Sequence, residues 1–353
     1  MYRSLTAGKV ELAAALERAI ADRFDLNEVS LTPIRSGPLS IAWKCQGSYS
    51  SESVVWCVKG HRTKKIVTIE SESEFTALWQ AHVGELIPKT IPASDGSLWF
   101  SLGDKYFSAH EFVSSDEPFD WTQSAWSASQ TRAAAGGLAT FHTGAETVRA
   151  AMGANSLRFA GSVMPRVGRV FSTAITSVTD ELRREDPLLN SIPSKVLLAE
   201  FSQLLLDLES KPSNLRLVHG DFHPGNLLFR GDQLAAILDL EDVHYEDVLF
   251  DVGYGALSFA GRWGRIDEQV NSGGFLDGEL MSAFLAGYNE LAFKSEHASI
   301  DRPLTEADIA RHLRLAGFLV LQWLLEMYVK EPGARPGLSN PLRDCLTFLR
   351  GAP

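Results

Sequence analysis

The sequence predicts an α+β fold in two lobes: a small antiparallel sheet carrying one helix, then a larger, mainly helical lobe. Three observations lead there. Between Leu31 and Val113, short β-rich runs are punctuated by Gly, Pro, Asp and Ser turns, as in successive strands. From Thr122 onward the apolar period becomes helical almost throughout. A single hairpin, Leu227–Leu238, interrupts those helices and has polar residues at its open end. The polar stretch Ser114–Pro118 separates the two regimes, which sets the lobes at 1–113 and 114–353.

Taken in order, residues 6–24 pattern as an amphipathic helix on the outside of the first lobe, with Val10, Ala13, Leu16, Ile20 and Phe24 at helical spacing. Asn27–Ser30 reads as a polar break. Leu31–Arg35 is a short strand, Ser36-Gly37-Pro38 a turn, Ser40–Gln46 a second strand, and Ser53–Lys59 a third with Val54, Trp56 and Val58 on one face. Glu70–His82 is the helix of this lobe. Pro88–Ala93, Ser97–Leu102 and Lys105–Val113 read as further strands, joined by Asp95-Gly96 and Gly103-Asp104 turns.

In the second lobe Thr122–Thr143 reads as a long helix, and Gly144–Arg169 as a poorly patterned insert. Asp180–Arg184 and Ser194–Ser210 are helical, Asp251 opens another helix, and Leu276–Ala292 is a further one. Thr305 with Asp308 forms a capping box before a long helix that buries Ile309, Leu313, Ala316, Val320 and Leu324.

The hairpin carries the chemistry. A hairpin sets its open ends side by side, with facing Cα atoms roughly 5 Å apart. Asn226 precedes its first strand and Asp239 follows its second, so two oxygen ligands thirteen residues apart come within reach of one ion. Mg²⁺ suits such a site, since it takes one or two protein oxygens and completes its shell with phosphates and water. Asp221 lies five residues before Asn226, on a loop shaped by Pro224-Gly225, where a carboxylate could take a hydroxyl proton.

His219-Gly220-Asp221, Asn226, and Asp239-x-Glu241 resemble the motifs of the aminoglycoside phosphotransferase and choline kinase-like family, which has a protein-kinase-like two-lobed fold. The resemblance implies transfer of the γ-phosphoryl group of ATP, or of GTP, to a hydroxyl of a small molecule such as an aminoglycoside, homoserine, choline or another amino alcohol. It makes Asp221 the catalytic base, and Asn226 and Asp239 the Mg²⁺ ligands, with Glu241 as an outer or second-metal ligand. It further implies that Lys59 contacts the α- and β-phosphates and pairs with a helix glutamate. Glu74, fifteen residues on, is preferred for that pairing over Glu70 and Glu72. The backbone of Glu111 and Val113 would hold the adenine, Asp251 would brace the catalytic loop, and His219 would support it. The family pattern departs from protein kinases in lacking a full glycine loop, and here Ser36-Gly37-Pro38 holds one glycine.

Composition narrows the alternatives. The formal net charge of −11 argues against nucleic acid or an anionic membrane as the partner. Residues 1–20 hold Lys9, Glu11, Glu17 and Arg18, and no apolar run reaches the roughly 18 residues of a membrane span, so a cytoplasmic enzyme is expected. Cys45, Cys57 and Cys345 form no C-x-x-C and suit a reducing compartment. Two other readings stand beside the kinase. His219, Asp221 and His223 alternate as zinc ligands on a strand could, as in a metal hydrolase. A nucleotide-binding pseudoenzyme would keep the fold without turnover.

Overall fold

The protein is described by a computed structural model that places residues 7–34, 41–61, 66–116, 126–153, 159, 164–209, 215–263, 275–292 and 300–351. It has the protein-kinase-like α+β architecture, an antiparallel sheet followed by a mainly helical remainder. Two compact units result: Met1–Pro118 with Ala235–Glu241, and Phe119–Leu234 with Asp242–Pro353. The short segment 235–241 thus groups with the first unit, whereas a single cut after residue 113 would leave it in the second.

The first unit contains helix α1 (Ala7–Phe24), strands β1 (Asn27–Ile34), β2 (Ile41–Tyr49) and β3 (Glu52–Gly60), helix α2 (Ile66–His82), and strands β4 (Thr90–Ile91), β5 (Phe100–Leu102) and β6 (Lys105–Glu111). The sheet runs β1-β2-β3-β6-β4, with β5 also on β6, and every pairing is antiparallel. Strand alternation gives it two unlike faces. On one, Val58, Phe107 and Ala109 join Trp43 and Cys45 in a core closed by Leu16, Ile20 and Phe24 of α1. On the other, the register places Lys59 opposite Ser108, and His110 opposite both Cys57 and Thr90.

The expected polar break at Asn27–Ser30 is instead the start of β1. Its register shifts between Asn27 and Ser30, and Glu28 has φ 53°, so an extra residue is taken up there as a bulge. The Ser36-Gly37-Pro38 turn lies outside the described residues, as do Thr122–Ala125 of the next expected helix.

The second unit is built on α3 (Ala128–Met152), α4 (Met164–Thr176), the short helices α5 (Asp180–Glu185) and α6 (Pro187–Asn190), and α7 (Ser194–Glu209). It also holds the two-stranded sheet of β7 (Leu215–Val218) with β10 (His244–Asp247), and strand β8 (Leu227–Arg230), whose hairpin partner β9 (Gln233–Ile237) runs into the segment grouped with the first unit. Helices α8 (Val248–Ala260), α9 (Gly278–Ala292), α10 (Glu306–Lys330) and α11 (Arg335–Gly351) complete it. The Thr305/Asp308 capping box stands at the head of α10. Where α3 crosses α9, a Cβ on Gly287 would lie 2.3 Å from the Arg132 carbonyl, so the crossing requires glycine. Phe171, Phe201 and Phe318 tie α4, α7 and α10 together.

One expectation fails here, and one helix lies beyond the sequence reading, each for its own reason. Gly144–Met152, read as insert, continues α3, with Ala145, Val148 and Met152 buried on its stripe. The pattern was hidden by Glu146, a buried carboxylate paired with Arg149 at 2.8 Å and Arg216 at 3.0 Å. Helix α11 went unread because Gly337 and Pro341 interrupt it, although Leu342, Cys345, Leu346 and Leu349 are buried at helical spacing. All three cysteines are free thiols, and burial pushes Cys45 and Cys57 up to about 11. Among the described residues no helix is long and apolar enough to cross a membrane.

Candidate active site

The second unit supplies the loop that carries Asp221. It leaves β7 at Val218 and ends in a single 3₁₀ turn, Pro224–Asn226, that leads into β8. Gly220 has φ +84°, and a Cβ there would lie 2.2 Å from the Asp242 carbonyl, so backbone packing alone demands glycine. Asp251, in the first turn of α8 and fully buried, accepts hydrogen bonds from the backbone N–H of His219 (2.5 Å) and of Gly220 (2.9 Å). The His142 ring also faces it, at 3.0 Å. Burial would raise the Asp251 carboxyl, but His142, His219 and the Gly220 N–H hold it below the usual range. Asp251 therefore braces the loop as an anion.

His219 is fully buried, edge-on to Phe141 and Phe222, and its Nδ1 accepts the Asp221 N–H at 3.3 Å. Its ring thus supports the loop from inside. That occupation, together with the irregular loop, removes the ground for a strand of zinc ligands at His219, Asp221 and His223.

The Asp221 side chain is held on several sides. Asn226 Nδ2 donates to its carbonyl at 2.9 Å and to its Oδ2 at 3.2 Å, and His223 Nε2 lies 3.4 Å from the same oxygen. The Tyr254 hydroxyl, on α8, also bonds to Asp221. Burial, then the Asp221 and Asp242 charges, push that phenol well above its usual range, so Tyr254 stays a neutral donor. Tyr254 and His142 were not singled out by sequence. Their helical spacing marks them only as core.

The first unit supplies a cluster of opposite charges. Lys59, near the end of β3, places Nζ 2.7 Å from Glu72 Oε1 and 2.9 Å from Asp239 Oδ1. The assignment of Glu74 as the lysine's partner is therefore corrected to Glu72. The helix begins at Ile66 rather than Glu70, and Ile69, Glu72, Thr76 and Trp79 form its buried stripe. Glu74 sits two residues on, about 200° around the helix. Burial alone would lower the Lys59 amine, but Glu72 and Asp239 outweigh it and hold it above the usual range. Burial would likewise raise Glu72, and Lys59 with the His61 ring hold it well below. The ion pair is thus fully charged at neutral pH.

Asp239 follows β9 with φ 63°, an uncommon conformation for a non-glycine residue. Glu241 lies on the 3₁₀ turn Leu240–Asp242 and adds its charge to Lys59. At the end of β6, the Glu111 N–H donates to the Lys89 carbonyl at 2.8 Å, so it is taken up by the sheet. Val113 lies just beyond, outside any strand.

Each unit carries oxygen donors of the kind a hard divalent cation takes. In the second, Asn226 turns its amide N–H₂ toward Asp221, which leaves its carbonyl oxygen as the atom it presents. In the first, Asp239 and Glu241 carry carboxylates.

Residues 129–293 match the model of a family described as the phosphotransferase enzyme family. The chain resembles the aminoglycoside phosphotransferase and choline kinase-like family. Among solved structures with the same fold, a microcompartment-associated aminopropanol kinase has a TM-score of 0.62 at 18% identity, over 96% of this chain and 98% of that one. An amicoumacin kinase in complex with AMP-PNP, Ca²⁺ and its ligand has a TM-score of 0.61 at 14% identity, over 96% of each chain. A choline kinase from Cryptosporidium parvum Iowa II has a TM-score of 0.61 at 12% identity, again over 96% of each. No curated protein matches the sequence.

Proposed function

We propose that this protein is a small-molecule kinase that transfers the γ-phosphoryl group of ATP to a hydroxyl of a small substrate, an amine-bearing alcohol by preference. The observation that carries the reading is the held carboxylate of Asp221. It stands on a loop braced by an ionised Asp251, beside an asparagine oriented to offer an oxygen. The family match and the fold shared with aminopropanol and choline kinases support it. The formal net charge of −11 favours a cationic acceptor over an anionic one.

In this reaction the acceptor oxygen bonds to the γ-phosphorus as the bond to the β,γ-bridging oxygen breaks, ADP leaves, and the hydroxyl proton passes to Asp221. Asn226 and Asp239 would hold Mg²⁺, with Glu241 in support. When bound, the ion neutralises charge on the transferring phosphates. Lys59, fixed by Glu72, is the cation for the α- and β-phosphates. The Val113 backbone N–H, with the Glu111 carbonyl, would hold the adenine, since the Glu111 N–H is engaged with Lys89.

Titration with Mg²⁺ and AMP-PNP tests the nucleotide half of the reading. The wild type should bind, and Asp239→Asn should lose most of the Mg²⁺-dependent part because it removes a negative charge placed against the ion. An Asp239→Asn protein that binds Mg·AMP-PNP as the wild type does would remove Asp239 from the metal set.

A further inference from the structure

The polar face of the first unit's sheet carries a row of side chains that the proposed reaction leaves without a role. His110 Nδ1 lies 3.4 Å from Thr90 Oγ1, and its Nε2 lies 2.7 Å from Ser108 Oγ. Ser108 Oγ lies 3.0 Å from His61 Nε2. His61 Nδ1 faces Glu72 Oε2 at 3.4 Å, and the other oxygen of Glu72 holds Lys59. The His61 side chain is 1% exposed and that of Glu72 is 7%, so water cannot readily replace these contacts.

We propose that Thr90, His110, Ser108 and His61 form a one-way hydrogen-bond relay that fixes Glu72, and through it sets Lys59 for phosphoryl transfer. The relay stands on the spacing of these side chains together with the ionised state of Glu72. Only its purpose rests on the kinase reading.

The direction follows from valence. Glu72 is ionised and can only accept, so His61 Nδ1 must carry the proton it presents. In a neutral ring Nε2 is then bare and accepts the Ser108 hydroxyl proton. Ser108 has no second proton, so its oxygen must accept from His110 Nε2–H. Burial holds His110 down to about 4 against the pull of the Glu72 charge, so that ring is neutral. Its Nδ1 is therefore bare and accepts from Thr90. Each donor has one acceptor, and the chain ends on the carboxylate that grips Lys59. Lys59 then reaches Asp239 at 2.9 Å, so the relay extends to the residue proposed for the metal.

A metal ion is the competing occupant, since His61, Glu72 and Glu241 offer ligand atoms within 4.8 Å of one another. His61 Nδ1 and Glu72 Oε2 are both buried and already face each other at 3.4 Å, however, so a proton on His61 Nδ1 satisfies these two atoms with no ion between them.

The relay makes His61, Ser108 and His110 positioning residues, and two measurements test it. Nitrogen-15 NMR of the histidine rings in the wild type at pH 7 should show His61 as the Nδ1–H tautomer and His110 as the Nε2–H tautomer. The reverse tautomer at His61 would overturn the relay, whatever the protein binds. Mg·AMP-PNP titration then reads its purpose. His61→Phe keeps the volume but cannot donate, and should weaken binding by about 10-fold or more, the scale of a lost hydrogen bond to a charged group. His61→Asn places an N–H at the Nδ1 position and should bind within about 3-fold of wild type. A His61→Phe protein that melts lower yet binds normally would reduce His61 to a structural residue and overturn the positioning role. If the wild type itself binds no nucleotide, the kinase reading falls, and with it the purpose, while the tautomers still decide the relay.

Discussion

Asp221→Asn is expected to lower turnover by about 10²- to 10⁴-fold, the usual contribution of a general base. Asparagine keeps the shape and can still accept from the Tyr254 hydroxyl, but it cannot take the acceptor's proton or orient the nucleophile by charge. Nucleotide affinity should hardly change, because the carboxylate serves the acceptor and not the nucleotide. Stability should stay within about 1 kcal/mol, as for substitutions that leave the core alone. The check is a rate, a nucleotide titration and a melting curve on the same preparation. Turnover at the wild-type rate would remove Asp221 from catalysis.

Lys59→Met should have a large effect of a different kind. A lysine at a strand end is normally dispensable to folding, but this one is mostly enclosed and bridges Glu72 to Asp239. Removing it leaves two carboxylates facing each other without a cation. Breaking one side of a buried pair typically costs about 3–5 kcal/mol. Lys59→Met should therefore melt well below wild type and lose activity by roughly 10²- to 10³-fold, the range for losing one electrostatic stabiliser. Lys59→Met combined with Glu72→Gln removes the repulsion as well as the cation. It should recover much of the stability and none of the activity. Recovery of both in the double variant would mean that Lys59 acts only in folding.

How far the site was legible depended on how each residue is held. Asp221, Asn226 and Asp239 sit on a tight loop and the ends of a two-residue hairpin, where spacing along the chain translates directly into position. The partner of Lys59 is hard to read because Glu72 is itself a buried carboxylate: it lies among Ile69, Thr76 and Trp79 on the buried side of the helix, where a charged residue does not pattern as core. The alternation Tyr106-Phe107-Ser108-Ala109-His110 does place Ser108 and His110 on one face of β6. A polar face on a strand reads as solvent-exposed, however, and only the fold shows that β3 and β4 flank it on both sides. Buried polar residues such as Glu146 misled for a similar reason, since their partners are remote in sequence.

The account's central claim is that the protein makes a phosphate ester. Phosphorus-31 NMR of a reaction containing ATP, Mg²⁺ and a panel of hydroxylated amines tests it most directly. With the right acceptor, the γ-phosphate signal should be replaced by one phosphomonoester and ADP in equal amounts, and Asp221→Asn should suppress both about 10²-fold or more. Bound nucleotide converted only to inorganic phosphate, at the same rate in the wild type and in Asp221→Asn and whatever alcohol is supplied, would contradict it.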